Sequence, residues 1–198
     1  MLISQGAEAR LYKEGTLLIK DRIRKNYRHS SIDSYLRKSR TRREALVLEK
    51  ASKLGIPVPA LRHSDGISIL KEDFIEGGKL SDVIEKINYA DVAFRLGSII
   101  SKLHSNNIIH GDLTTSNIIV SGKELFLIDF GLSFFSRRIE DKVVDVNLFR
   151  QALEARHPSI WEDCFSSFIK GYLGKNDSKE FLSRLDVVSS RGRNKRKV

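Results

Sequence analysis

Short segments of alternating apolar and polar residues occupy the first third of the chain, and longer segments with helical spacing occupy the rest. Residues 9–13 and 16–20 flank Glu14-Gly15, and such a turn between two alternating runs predicts a β-hairpin. A basic loop follows, then a helix predicted from about Ile32 to Leu54, with Gly55 as its C-terminal stop and Pro57 and Pro59 just beyond. Residues 61–63 and 67–74 flank Asp65-Gly66 and predict a second hairpin. After Gly77-Gly78 the texture changes. Val92, Leu96, Ile99, Ile100 and Leu103 recur at three- and four-residue spacing and mark one face of a helix. Two short apolar segments, 117–120 and 125–128, are separated by Ser121-Gly122, and helical patterns resume at 142–156, 160–172 and 178–185. Residues 189–198 carry no large apolar side chain before Val198 and are predicted to be disordered. The pattern predicts an α+β protein with a β-rich lobe over residues 1–76, a helical lobe over 77–188 and a basic tail over 189–198.

Composition narrows the class. A chain of 198 residues with 40% hydrophobic content buries enough surface to fold without cross-links. Cys164 is the sole cysteine, which excludes a disulfide scaffold and a Cys-based zinc cluster, suits a reducing compartment, and reads as a small core residue. No run approaches about 20 apolar residues, and the N-terminus lacks the basic and apolar regions of a secretory signal. A cytoplasmic protein without a membrane partner is expected. Charge changes the picture more. Residues 20–43 hold ten basic and two acidic residues, residues 191–198 add five basic and no acid, and the whole chain carries +10. Concentrated Lys and Arg favour a polyanion, because each neutralised phosphate releases counterions; a solvated face and a frayed tail are the plainer reading.

The chemistry concentrates in His110-Gly111-Asp112-Leu113-Thr114-Thr115-Ser116-Asn117 and Ile128-Asp129-Phe130-Gly131. Phosphoryl transfer needs charge neutralised and reactants aligned more than it needs covalent help. Asp112 can orient the attacking hydroxyl or water and accept its proton, Asn117 can hold Mg²⁺, and Asp129 can bridge Mg²⁺ to nucleotide phosphates. Any one of these carboxylates alone would read as a turn or cap. Together, at these spacings, they match the protein-kinase pattern of catalytic loop and Asp-Phe-Gly. His110 reads as a brace of that loop; His29, His63, His104 and His157 show no metal-ligand spacing. Upstream, the kinase pattern asks for a phosphate-covering turn, met by Gln5-Gly6-Ala7-Glu8-Ala9, and a strand lysine, met by Lys20. It also asks for a helical glutamate to hold that lysine, met by Glu44, and a hinge whose backbone near Asp73 and Ile75 would meet adenine. The arginine that would precede Asp112 is replaced by Gly111, and no Ala-Pro-Glu follows Gly131, so a peptide-docking platform is not expected.

The catalytic loop resembles that of the small atypical kinase/ATPase subunits of the KEOPS (EKC) complex. The likeness extends to residues 5–9, Lys20, the run Lys25-Asn26-Tyr27-Arg28-His29, Arg43-Glu44-Ala45, Gly55-Ile56-Pro57-Val58-Pro59 and Arg191-Gly192-Arg193. It departs at Ser30-Ser31-Ile32, where that family tends to carry a proline-containing turn. The resemblance implies a minimal two-lobed protein-kinase-like fold and ATP with Mg²⁺. It implies Asp112 as proton acceptor, Lys20 as phosphate contact, and Asn117 and Asp129 as metal ligands. It also implies a transferase subunit, a small subunit on the N-lobe and tRNA as partners, with Lys25, Arg28, Arg191, Arg193, Lys195, Arg196 and Lys197 as candidate tRNA or partner contacts. In a eukaryotic host the tail also reads as a nuclear-import address. Two other classes compete: a small-molecule phosphotransferase of the aminoglycoside or choline kinase type, which shares His-Gly-Asp, and a non-catalytic adaptor with a relic nucleotide site.

Overall fold

The computed structural model describes residues 1–6, 8–174 and 178–193. They form two compact units that are not contiguous in sequence: Met1–Gly77 with Ser121–Ser133, and Gly78–Val120 with the chain from Phe134 onward.

The first unit is built on an antiparallel sheet. Strands β1 (Leu2–Gln5), β2 (Arg10–Glu14) and β3 (Leu17–Asp21) follow one another, with Gly15 at φ +59° in the tight β2–β3 turn, where a residue without Cβ is favoured. Helix α1 (Ser30–Lys53) comes next, then β4 (Leu61–Ser64) and β5 (Ile69–Asp73), completing the order β1-β2-β3-β5-β4. The β3–β5 register sets Lys20 opposite Leu70 and Leu18 opposite Glu72. Asp33 organises the start of α1: its Oδ1 accepts the Lys25 N–H (3.0 Å) and its Oδ2 accepts Arg37 Nε (2.8 Å). The helix buries Val47, Leu48 and Ala51. It stops where expected: Gly55 sits at φ +65°, and the Ile56 N–H closes back onto the Ala51 carbonyl at 3.0 Å. The β4–β5 turn is fixed by Asp65, whose Oδ1 accepts the N–H groups of Ile67, Ser68 and Ile69 at 2.7–2.9 Å.

The second unit opens with β6 (Gly78–Lys79), α2 (Leu80–Val83), α3 (Tyr89–Ser105), β7 (Ile108–Ile109) and β8 (Ile118–Ser121). At Ser121 the chain returns to the first unit for β9 (Glu124–Leu127), where the Leu127 N–H donates to the Pro57 carbonyl at 3.0 Å. It then resumes the second unit with β10 (Phe134–Phe135), α4 (Ile139–Arg156), α5 (Trp161–Leu173) and α6 (Lys179–Arg193). The sequence pattern places everything from residue 77 to 188 in one lobe; residues 121–133 instead pack with the first unit, through the Pro57 bond and the ion pair of Asp129 described below.

Helices α3 and α5 touch backbone to backbone. A Cβ on Gly97 would lie 2.1 Å from the Phe168 carbonyl oxygen, and one on Gly171 would lie 1.9 Å from that of Phe94. Around this contact Phe149 and Phe168 pack with ring centroids 4.6 Å apart, Tyr172 and Phe181 lie 4.8 Å apart, and Cys164 is buried as expected. Helix α4 starts three residues before the predicted position, placing Glu140 and Asp141 in its first turn, where negative charge suits the helix dipole. Helix α6 corrects the sequence reading at the other end. Residues 189–193 are helical and not disordered, because Phe181 and Leu185 are buried and the Ser189 hydroxyl donates to Asn147 Oδ1 of α4 at 3.0 Å. Residues 194–198 lie outside the described residues.

Candidate active site

In the first unit, four elements converge on a buried ionic cluster. Lys20, at the inner end of β3, donates from Nζ to Glu44 Oε1 of α1 (2.9 Å) and to Asp129 Oδ1 (2.6 Å). The Glu44 side chain is fully buried, and that of Asp129 is 46% exposed. Burial alone would pull the lysine pKa down; the carboxylates of Glu44 and Asp129 reverse this and hold it above the ordinary value, so Lys20 is a cation. Two further members of the cluster are not evident in the sequence. Arg22, two residues along from Lys20, pairs through Nη2 with Glu44 Oε2, so one carboxylate clasps two cations. Its approach explains Gly131: a Cβ there would meet Arg22 Nη2 at 2.8 Å. Glu72, on β5, is buried as well. Desolvation first, then the negative charge of Glu44, pushes its carboxyl up to about 8 despite Lys20 and Arg22. Asp129 itself takes φ +64°, a left-handed conformation uncommon outside glycine, Asn and Asp.

The turn between β1 and β2 is braced from one side. The Gly6 N–H donates to the Ala9 carbonyl (2.9 Å), Gln5 Oε1 accepts from Arg10 Nε (3.2 Å), and Ala7 lies outside the described residues. Glu8 pairs with Arg28 (3.0 Å) and Arg40 (2.7 Å); the Arg28 hydrogen bond above all holds its carboxyl below the usual range. Lys25 and Arg28 are thus both tied into the first unit, Lys25 by its backbone to Asp33 and Arg28 by its side chain to Glu8. On β5, Asp73 pairs with Arg62 through both carboxylate oxygens (2.6 and 2.7 Å), and its N–H donates to the Ala60 carbonyl at 3.0 Å. Ile75 follows beyond the strand.

In the second unit the catalytic-loop residues are fixed by one carboxylate that motif reading does not find. Asp145 of α4 accepts the backbone N–H of His110 on Oδ2 and that of Gly111 on Oδ1, each at 2.8 Å. His104 of α3 bridges Asp145 Oδ2 (3.0 Å, Nε2) and the Tyr172 hydroxyl (2.8 Å, Nδ1). Burial would raise the Asp145 pKa, but above all the hydrogen bond from His104, with the backbone N–H of His110, brings it below the usual range. Downstream, Asn117 Nδ2 donates to both the backbone oxygen and Oδ2 of Asp112 at 2.9 Å, so its amide oxygen Oδ1 is not used in that contact. No sequence signal marks Asp145, 35 residues from His110; only the buried face of α4 hints at it. Arg191 and Arg193 fall in the last turn of α6, and Lys195, Arg196 and Lys197 lie outside the described residues.

Among the described residues no group of three or more His, Cys, Asp or Glu could hold a metal ion. By donor chemistry, each within its own unit, the Asn117 amide oxygen and the half-exposed Asp129 carboxylate are hard oxygen ligands of the type Mg²⁺ takes, one or two protein oxygens being commonly completed by substrate phosphates.

The model of the RIO domain matches residues 7–138. The chain is 41% identical over 190 residues to the EKC/KEOPS complex subunit BUD32 of Encephalitozoon cuniculi, a match covering 96% of this chain and 93% of that protein. It is 35% identical over 193 residues to a probable serine/threonine-protein kinase BUD32 homolog of Archaeoglobus fulgidus, covering 98% and 96%. It is 39% identical to a probable bifunctional tRNA threonylcarbamoyladenosine biosynthesis protein of Methanothermobacter thermautotrophicus, where it spans only 36% of the relative's length. Among solved structures, the Rio2 kinase of Chaetomium thermophilum, in an ADP/Mg²⁺-phosphoaspartate complex, shares the fold. Its TM-score is 0.65, at 14% identity, over 98% of this chain and 70% of that one.

Proposed function

Because the chain belongs to the RIO-domain family, and within it to the Bud32 subunits of KEOPS complexes, we propose that it is an ATPase and atypical serine/threonine kinase whose turnover supports threonylcarbamoyl modification of tRNA adenosine. The observation that carries the reading is Lys20, a buried cation held between Glu44 and Asp129. A lysine poised by two carboxylates is a ready counter-charge for phosphate oxygens. Asp112 accepts the proton of the attacking water or hydroxyl, and Asn117 fixes the Asp112 carboxylate through its amide N–H. Asn117 Oδ1 and Asp129 would hold Mg²⁺, which when bound would supply charge neutralisation for the phosphoryl group. The Gly6 turn covers the phosphates, and the backbone of Ile75 meets adenine. A transferase subunit and a small subunit on the N-lobe are the protein partners, and the basic segments serve tRNA. A small-molecule phosphotransferase is not favoured, since the relatives of similar length named above are a KEOPS subunit and a probable serine/threonine-protein kinase. No helix among the described residues is long and apolar enough to cross a membrane.

The test is Mg²⁺-dependent ATP turnover by the full chain. Asp129→Ala is expected to abolish it, and Asp112→Ala to lower it by roughly a hundredfold or more while leaving nucleotide binding measurable. Wild-type turnover by Asp112→Ala would remove that residue from the reaction.

A further inference from the structure

Up to Arg43 the exposed charges of α1 are all basic, and the exposed Glu49 follows two turns beyond Arg42. Between Arg22 and Arg43 the sequence holds nine basic residues and a single acid, Asp33. That acid is 1% exposed, with its oxygens engaged by the Lys25 N–H and Arg37, and the next acid, Glu44, is fully buried against Lys20 and Arg22. Folding therefore hides the negative charge of this segment and leaves Arg24, Lys38, Arg42 and Arg43 exposed. Arg42 spends one N–H on the Gly66 carbonyl; among the described residues Arg24, Lys38 and Arg43 have no ion-pair partner. Aromatic rings stand among these cations. Tyr35 is 70% exposed and Tyr27 is 77% exposed. Tyr35, Lys38 and Arg42 are spaced i, i+3 and i+7, so they line one helix face over about 10 Å.

We propose that this face of α1 binds RNA at unpaired bases, with Lys38 and Arg42 on phosphates and Tyr35 stacked on a base. The proposal rests on the tRNA reading given above and adds a surface separate from the C-terminal tail. Charge complementarity selects a polyanion, and exposed ring faces among cations select a strand whose bases are open to stacking. A duplex offers phosphates but keeps its base faces stacked within the helix.

The experiment titrates the full-length chain with a tRNA transcript and with a blunt RNA duplex, by fluorescence anisotropy at several salt concentrations. Lys38→Ala with Arg42→Ala is expected to flatten the slope of log affinity against log salt by about 0.7 for each phosphate no longer neutralised. Tyr35→Ala is expected to weaken tRNA binding about fivefold to tenfold, Tyr35→Phe to restore it, and duplex binding to ignore both changes. Because Tyr35 and Lys38 are exposed, melting temperature and ATP turnover of Tyr35→Ala and of Lys38→Ala alone should match wild type, and Lys38→Ala alone carries the salt-slope test without the bond Arg42 makes to the Gly66 carbonyl. Unchanged tRNA affinity in Tyr35→Ala, or an equal loss on the duplex, overturns the proposal. So does intact RNA binding with loss of a co-purifying protein subunit, which would make the face a protein interface. Wild-type ATP turnover measured alongside reports on the kinase reading independently: its absence would sink that reading whatever the RNA result.

Discussion

Glu72 keeps its proton in the folded protein at a pH where an unfolded chain has released it. Its carboxyl lies near 8, against about 4.3 for an unperturbed glutamate. Between those values the native state holds more protons than the unfolded state, so this residue's contribution is fully present below about pH 4 and is lost as pH rises through 8. Glu72→Gln removes the effect while keeping the shape. Urea unfolding of the metal-free protein is expected to show the variant gaining on wild type between about pH 5 and pH 8.5, by on the order of 1 kcal/mol or more. Parallel stability profiles would mean that Glu72 is ionised in the fold. The same cluster shows why residue-level reading stops short. Lys20, Glu44 and Asp129 are legible because phosphoryl transfer demands them in a set order. Arg22 and Glu72 look like ordinary strand residues, and only packing puts them beside Glu44.

At the scale of elements, the tightest contact is made by residues that weaken helices in isolation. Gly97 and Gly171 each cost roughly 1 kcal/mol of helix propensity relative to alanine, yet they allow α3 and α5 to meet at their backbones. Gly171→Ala is expected to destabilise by about 3 kcal/mol or more, because the added methyl lands on a carbonyl that cannot swing aside. Chemical denaturation reads this directly, and a neutral effect would show that the helices can slide apart. In sequence, α3 announces itself by its apolar face, and α1 by its length and its glycine stop. The extension of α6 does not, since residues 186–193 carry only Val187 and Val188 as apolar groups and gain order from α4 through Ser189. Asp145 is equally hidden. Its role depends on two backbone N–H groups distant in sequence, and an Asp in a helix that also carries Glu140, Asp141 and Glu154 looks like one more solvated charge.

Lys195, Arg196 and Lys197 supply three of the basic residues behind the +10 total but follow the last described turn of α6. Removing residues 194–198 is expected to leave the melting temperature unchanged and to weaken tRNA binding of all sequences alike. The salt slope should flatten by about 0.7 to 0.9 for every phosphate that the tail had neutralised. Identical slopes for the two chains in a salt titration would free the tail from any RNA role. Removing residues from 178 onward is a different matter, because Phe181 and Leu185 leave the core with it.

On a ribosome, the route of the chain delays the first unit. When Gly77 has emerged, the five strands of its sheet and α1 are all available, but β9 and Asp129 are not. At about 5–20 residues per second, several seconds pass before they follow. Until then Lys20 and Arg22 share Glu44 as their charged carboxylate, and the Pro57 carbonyl waits for the Leu127 N–H. The nascent protein completes this ionic cluster by returning to it late, and in a chain cut short between Gly77 and Asp129 Lys20 lacks one of its two carboxylate partners.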